Sequence, residues 1–536
     1  MIFISLLIVA FGQPAFTSII AALSAAFGYA LFWKSLLSVS SQKKRFWVAV
    51  FWYAAVQAIQ LSWMTSIEYQ GIYILFVCAG LSILLGLQFG FFSLFIKREN
   101  PLLRMLALAS LWVFLEWSRY FFLCGFSWNP AGLALSGYTA PLQMASIFGI
   151  LGLSFWVILV NLMALKAFIE NRFRPYLIWG FAALFPYLFG FVHLMYHDHR
   201  EKNHLSILLV QTGLMPSQKI TLPGRLQEFI SPYEQWNRIL RLIKDKGSCD
   251  LVVLPEATVP FSSETSVYGL EKVKFCVARE LGDEASRFFP ESGASFFNEK
   301  KTHVSNCFWA QTVANYLNAE LIIGLEHTDH AKDETYNSVL HFSPKKSIYD
   351  RYDKRILLPL AEYLPFKWLY PLVKAYGISE FFTQGATSKV FNGIFPIATS
   401  ICYEETFPHL MREGRLNGAK LFVNVSNDAW YPDSLLTWQH FDHARLRSVE
   451  NGVPMVRACN TGITSGVDSL GRIVAMLPEY DENGKPLVGV LKTQINTYQY
   501  PTLYSFWGNW GILIMSLLFI IVFIINKNFF IEENQI

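Results

Sequence analysis

The chain has 536 residues, of which 53% are hydrophobic and 16% charged, with a net charge of +4 and a mean hydropathy of +0.31. Ordinary soluble proteins are less apolar, so membrane spans are expected. No basic stripe with interleaved aromatics occurs, which argues against nucleic-acid binding through an overall basic field.

A bilayer core is crossed by roughly 20 mostly apolar residues. In chain order the candidate spans are Pro14–Phe32, Phe46–Met64, Ile72–Ile96, Leu102–Leu123, Pro141–Leu165, Tyr176–Leu194 and, far downstream, Phe506–Ile525. The run Met1–Phe11 is apolar but short, so the N-terminal region holds six or seven spans. Lysine and arginine fall in alternate loops, at Lys34, Lys43, Lys44 and Arg45, at Lys97, Arg98 and Arg104, and at Lys166, Arg172 and Arg174, with Lys527 in the tail. The positive-inside rule makes those loops cytoplasmic and the region between the last two spans extracytoplasmic. Intramembrane charges need partners, so Glu116 and Arg119, three apart, are expected to form a structural ion pair or to meet a lipid headgroup.

From Leu205 onward the pattern changes to short β-branched runs such as "LSILLVQTG", "CDLVVLPEA", "AELIIGLEH", "FPIATSICYE", "AKLFVNVSND" and "VPMVRACNTG". These read as buried strands. Helical stretches at Tyr233–Lys246 and Trp309–Asn318 lie between them, which favours a layered α/β domain. Chemistry in such sheets gathers beyond the carboxyl ends of strands. Glu256 ends one run, Cys402 ends another and Lys354 follows a third. A thiol needs a base, which Glu256 would be, and a tetrahedral oxyanion needs positive charge, which Lys354 would supply beside the backbone N–H after Cys402. Met singly, each of these residues reads more readily as a surface cap, a surface ion pair or a buried thiol; the set is what points to nucleophilic catalysis.

At these residues the chain resembles the nitrilase (carbon-nitrogen hydrolase) superfamily. Its membrane frame narrows the likeness to the bacterial apolipoprotein N-acyltransferase family. The resemblance runs through "LSWMTSIEYQG", "EWSRYFFLCGFSWN", "FGILGLSFWVILVN", "LPEATVP", "YDKRILLPLAEYLP", "ICYEE", "SNDAWY", "WQHFDHARLRSVENGVPMVRACNTGIT" and "GNWG", in that order. It implies Glu256 as general base, Lys354 as oxyanion-stabilising cation and Cys402 as nucleophile, with Glu362, Tyr403 and Glu404 as supporting active-site residues. Glu362 also has a physical rationale, since a nearby carboxylate keeps Lys354 charged and oriented. Glu405 matches no family position. Where the family reads Pro-Phe-Gly-Glu, this chain has Pro359, Leu360, Ala361 and Glu362, so Ala361 must take an ordinary φ or accept strain. Near the family's tryptophan after the first strand stands Ile220, and the stretch 262–305 is longer than usual.

The implied architecture is a multi-pass α-helical membrane domain plus an extracytoplasmic α/β nitrilase-like (αββα sandwich) domain. Its expected parts are N-terminal membrane helices over 1–196, a catalytic domain over 197–505, a last membrane helix over 506–526 and a cytoplasmic tail over 527–536. The implied activity transfers an acyl chain from a phospholipid, through a Cys402 thioester and ping-pong kinetics, to the α-amino group of the diacylglyceryl cysteine of an apolipoprotein. The implied site is the periplasmic side of a bacterial inner membrane. The expected partners are the phospholipid donor, the apolipoprotein acceptor and the bilayer, with no cofactor, no metal and a monomeric state.

Two apolar stretches, Leu357–Gly377 and Ala429–Trp438, suit lipid-facing arms or core helices. His440 and His443 lack a third ligand nearby in sequence and make a thin metal motif. Cys459 is expected to pack near the site without reacting, Arg445 and Arg447 to pair with carboxylates in the cleft, and Cys276 and Cys307 to be the one pair open to a disulfide. A membrane-anchored nitrilase-like amidohydrolase would use the same three residues. A transporter with a sensor domain would require more charged or helix-breaking residues inside the spans than Glu116 and Arg119.

Overall fold

A computed structural model of the chain describes residues 1–533 except 199, 201–202, 347, 367, 369 and 372–380, and the backbone alone from 527 onward. It divides into two compact units. One comprises Met1–Arg200, Asp433–Gly452 and Pro501–Ile536, and the other Glu201–Pro432 and Val453–Tyr500.

The first unit is helical. Among the described residues, five helices are long and apolar enough to cross a membrane: Ser18–Leu36, Tyr73–Ser93, Ala145–Glu170, Phe173–His197 and Asn509–Asn526. The expected spans Phe46–Met64 and Leu102–Leu123 fold as helices Gln42–Gln60 and Leu102–Ser118, the first opening on Gln-Lys-Lys-Arg and the second only 17 residues long. The last helix continues to Glu533, through the start of the expected tail. Bulky side chains such as Phe181, Phe191 and Val192 stand exposed along Phe173–His197, a surface that hydrocarbon solvates and water does not.

Inside this unit, breaks in the helices are repaired by polar side chains. Ser18–Leu36 contains a π-turn at Ser24–Gly28, and buried Asn161 accepts from Tyr29 N at 2.9 Å while donating to Ala25 O at 2.8 Å. Gly149, at φ +64°, breaks the helix Ala145–Glu170, and the next N–H, of Ile150, donates to Glu450 at 2.8 Å. Glu116 accepts from Trp112 Nε1 at 2.8 Å and from Ala131 N at 2.7 Å, while Arg119 Nε donates to Gln88 at 2.8 Å. The expected Glu116–Arg119 ion pair therefore does not form among the described residues. Backbone and neutral amide groups serve the two charges separately.

The second unit is a four-layer sandwich. Its strands are numbered β1 (His204–Gln211), β2 (Leu251–Leu254), β3 (Glu320–Asp329), β4 (Glu334–Phe342), β5 (Tyr349–Asp353), β6 (Val390–Asn392), β7 (Pro396–Ile401), β8 (Leu421–Ser426), β9 (Met455–Cys459), β10 (Ser465–Val467), β11 (Ile473–Met476) and β12 (Gly489–Asn496). One six-stranded sheet runs β12-β1-β2-β3-β4-β5 and the other β11-β10-β9-β8-β7-β6. The centre of each is parallel, β1-β2-β3 and β7-β8-β9, with antiparallel flanks. Parallel centres align the carboxyl ends of β2, β3, β7 and β8 on one rim, where loops can converge.

Side-chain alternation divides the layers. Ile207, Leu209, Val253, Ile322 and Val339 of the first sheet meet Ile397, Ile401, Val423, Val425 and Val456 of the second. The opposite faces of β1, β2 and β3, with Leu208, Val210, Val252 and Ile323, bury against helices Pro232–Ile243, Leu270–Leu281 and Asn306–Leu317. Each fully buried Leu, Ile or Val contributes about 1.5–3 kcal/mol. Helix Pro232–Ile243 begins where Ser231 Oγ accepts from Glu234 N, with Pro232 in its first turn. Its buried Trp236, Ile239, Leu240 and Ile243 follow helical spacing toward the sheet. On the second sheet's outer face, helix Pro408–Leu416 comes so close that a Cβ on Gly414 would lie 2.6 Å from that of Ala398.

Candidate active site

Three strand ends supply the site. β2 leads through Pro255 into Glu256, and the following Ala257 takes φ +41°, a left-handed turn that aims the chain away from the sheet. β3 crosses directly behind this turn at Gly324, where a Cβ would lie 2.6 Å from Glu256 Cα. Lys354 immediately follows β5, and its backbone N donates to Asn337 O of β4 at 2.8 Å. Cys402 closes β7 with φ +50°, so the nucleophile candidate sits on a strained strand end. Its carbonyl accepts from Asn424 of β8 at 3.2 Å.

The side chains meet. Lys354 Nζ lies 2.8 Å from Glu362 Oε1 and 3.4 Å from Glu256 Oε1. Asn337 Nδ2 donates to the same two oxygens, at 2.8 Å to Glu256 and 3.1 Å to Glu362. Leu358 N holds the other oxygen of Glu362 at 2.9 Å. Glu256 Oε2, by contrast, accepts no hydrogen bond among the described residues. Glu256, Asn337, Lys354 and Glu362 are all buried, and Cys402 is partly exposed.

Electrostatics follow from that arrangement. Burial and the neighbouring Glu362 raise the proton affinity of Glu256, and Lys354 opposes them. Burial works against the Lys354 charge, yet Glu362 and Glu256 outweigh it and hold the ammonium well above the ordinary lysine range. The Cys402 thiol is pushed up by burial and by Glu256, against the pull of Lys354. At rest the cysteine is a thiol beside a proton-hungry carboxylate, which is the starting state for general-base activation.

Glu404 is a buried carboxylate with every acceptor position used. It takes Tyr352 OH at 3.0 Å on both oxygens, Arg355 N at 2.6 Å, Ile356 N at 3.1 Å and Ile401 N at 2.9 Å. It thus ties the chain after Lys354 to the strand end before Cys402. Tyr403 is buried edge-on to Phe407, ring centroids 5.0 Å apart. Glu405, which the sequence left without a role, forms a fully buried pair with Arg457 of β9 at 2.9 Å.

The turn before Glu362 realises the first of the two expected alternatives for Ala361. Leu360, at φ +68°, takes the left-handed conformation, and Ala361 stays in the ordinary region. Leu360 lies inside the turn that Leu358 O closes by accepting from Glu362 N at 2.9 Å and from Tyr363 N at 3.3 Å. All seven cysteines are free, so Cys276 and Cys307 do not pair. Cys459 is a buried thiol donating to Ile463 O at 3.3 Å. Arg445 and Arg447 belong to the helical unit and face Asp442 at 3.8 Å and Glu450 at 3.1 Å on their own helix. His440 and His443 lie tilted against Trp128, with ring centroids 5.6 and 5.4 Å away. Of the expected apolar arms, Phe366, Trp368, Tyr370 and Trp438 are exposed and Leu357 and Leu436 buried, while residues 367, 369 and 372–377 lie outside the described residues.

Known proteins resemble this chain over nearly its whole length. A Carbon-nitrogen hydrolase profile matches residues 227–500, and the Apolipoprotein N-acyltransferase N-terminal domain matches residues 5–163. An apolipoprotein N-acyltransferase of Chlamydia caviae is 33% identical over 96% of this chain and 95% of its own length, and that of Chlamydia pneumoniae 32% identical over 96% and 94%. The chain belongs to the apolipoprotein N-acyltransferase family. A namesake from Geobacter metallireducens is 29% identical over 75% of this chain and 72% of its own length. Among solved structures, Saccharomyces cerevisiae Nit3, a nitrilase-superfamily protein, is 21% identical and covers 57% of this chain and 94% of its own, with a TM-score of 0.36.

In this member of the apolipoprotein N-acyltransferase family, the structure brings Glu256, Lys354 and Glu362 into direct contact and Cys402 into their field. Sequence reasoning missed Asn337 and Asn424. Asn424 carried a signal, an amide in the apolar run over 421–425, which marks a buried polar group that must be satisfied, whereas Asn337 shares its strand with Glu334, Thr335, Ser338 and His341 and does not stand out locally.

Proposed function

We propose that this protein is a multi-pass enzyme of a bacterial inner membrane, its sandwich unit on the periplasmic side, with six or seven N-terminal spans and one C-terminal span. It transfers an acyl chain from a phospholipid to the N-terminal amine of diacylglyceryl apolipoproteins. The observation that carries this reading is one ammonium shared by two buried glutamates, in the field of a cysteine at a left-handed strand end. That it occurs in a chain matched at both its membrane and its hydrolase-like regions selects acyl transfer over amide hydrolysis.

In the first half-reaction Glu256 Oε2 takes the Cys402 proton as Sγ attacks the ester carbonyl. The oxyanion faces Lys354 Nζ and the Tyr403 N–H. Collapse breaks the ester C–O bond, and the proton on Glu256 passes to the departing alkoxide, giving lysophospholipid and a Cys402 thioester. In the second, the lipoprotein amine attacks the thioester carbonyl, C–S breaks, and Glu256 conveys a proton from nitrogen to sulfur. Glu362 and Asn337 keep Lys354 and Glu256 in register throughout. Glu404 and Tyr403 support the backbone that carries the nucleophile.

Intact mass spectrometry after incubation with phospholipid alone tests this. The wild type should gain one acyl mass, Cys402→Ala none, and a diacylglyceryl peptide with a free amine should discharge the adduct. Discharge by water alone would sink the transferase reading.

A further inference from the structure

The segment after β1, "QTGLMPSQKITL", is where Ile220 replaces the aromatic residue expected from family resemblance, and the residue before it is Lys219. Lys219 is buried, 5% exposed, and its Nζ donates to the backbone carbonyl of Glu256 at 3.2 Å. That carbonyl belongs to the peptide leading into Ala257, the left-handed residue. On the far side of the same turn, Pro255 O accepts from Gly324 N at 3.2 Å and from Thr258 Oγ1 at 2.6 Å, and Thr258 N donates to Gly324 O at 2.8 Å. The turn is held by β3 on one side and by Lys219 on the other. Lys219 is itself secured, since Gln235 of helix Pro232–Ile243 donates to its carbonyl at 3.1 Å.

A buried ammonium is costly, and here it stands in the field of two carboxylates, Glu256 on the β2 turn and Glu326 on β3. Around Lys354 the count is two carboxylates to one ammonium, so a second cation beside Glu256 brings the local charge closer to balance. We propose that Lys219 is a positioning residue for the general base: it clamps the strained Glu256–Ala257 peptide and supplies the second positive charge that keeps Glu256 ionised. The inference rests on the assignment of Glu256 as the base of Cys402. Burial brings the Lys219 ammonium down to about 8, despite Glu256 and Glu326, so its charge is present at neutral pH and lost in mild alkali.

The test is alkylation of Cys402 by iodoacetamide in the full-length protein, followed at the Cys402 peptide by mass spectrometry from about pH 6 to about pH 10. Wild type, Lys219→Met and Lys219→Arg are compared, with melting curves for each. The wild type should show a break in its rate profile near pH 8. Lys219→Met should alkylate about tenfold more slowly at neutral pH, the factor for one unit of change in proton affinity, with no break. Lys219→Arg should keep the neutral rate and lose the break, because a guanidinium does not titrate there. A wild-type rate in Lys219→Met, or a break retained in Lys219→Arg, overturns the proposal. If Lys219→Met does not fold, Lys219→Arg decides alone. Iodoacetamide stands in for the acyl donor, so these profiles and acylation by phospholipid fail independently.

Discussion

Glu404 and Glu256 are buried carboxylates of one sandwich, and their surroundings give them opposite tasks. Both oxygens of Glu404 are saturated, mostly by backbone N–H groups that cannot move without moving the strand ends they belong to. Glu256 spends one oxygen on Asn337 and Lys354 and leaves the other open. A carboxylate with filled lone pairs is a fastener. Burial raises the proton affinity of both, so what suits Glu256 to the proposed role of base is its open oxygen. The difference lies in who the neighbours are, and residue type alone does not reveal it.

The contrast breaks most sharply at Glu256→Gln. Acylation of Cys402 should fall by about 10²–10⁴, the usual worth of a general base. The melting temperature should stay or rise, because a carboxyl whose proton affinity is raised on folding stabilises the fold below its pKa and costs stability above it. Thermal melts beside intact-mass kinetics check both halves, and a large loss of stability would make Glu256 a second fastener. Glu404→Gln should do the reverse. Its amide would turn a donor toward donors, costing about 1–3 kcal/mol, and chemical denaturation should show it, with activity falling only in step.

A subtler shift is expected at Glu362→Gln. The charge on Glu362 is one of the causes raising Glu256, so its removal should move the acid limb of the Cys402 acylation rate to lower pH. A limb that moved up would show that Glu362 acts on Glu256 chiefly through Lys354. Smallest is the turn before Glu362. Leu360→Gly relieves a left-handed strain of about 1–2 kcal/mol, partly offset by chain entropy, whereas Ala361→Gly should cost about 0.4–1 kcal/mol. Equal effects in denaturant titrations would contradict the φ angles.

Much of this was legible in the sequence. Strand runs ending at Glu256 and Cys402 marked the rim, and the apolar ends of the chain marked the membrane unit. What escaped was whatever depends on contacts remote in sequence. Asn337 meets Glu256 and Glu362 because β3 and β4 bring them together, and no local pattern encodes that. Glu405 matched no family position, and its partner is Arg457 on another strand. The segment Asp433–Gly452 reads as a continuation of the α/β region and clusters with the membrane helices, because Glu450 caps the break at Gly149. The left-handed residue of the turn before Glu362 is Leu360, inside the loop that Leu358 O closes with Glu362 N, a position that residue preference does not announce.

Gly324 touches neither thiol nor ammonium, and its contribution is an absence of atoms. Any side chain there would press on the Cα of Glu256 and push that residue off its turn. Position 324 should therefore be as intolerant of substitution in a growth selection as Glu256, the proposed base. A map of such intolerance would draw the outline of the catalytic rim one layer too deep, recording where the backbone must pass as faithfully as where protons move.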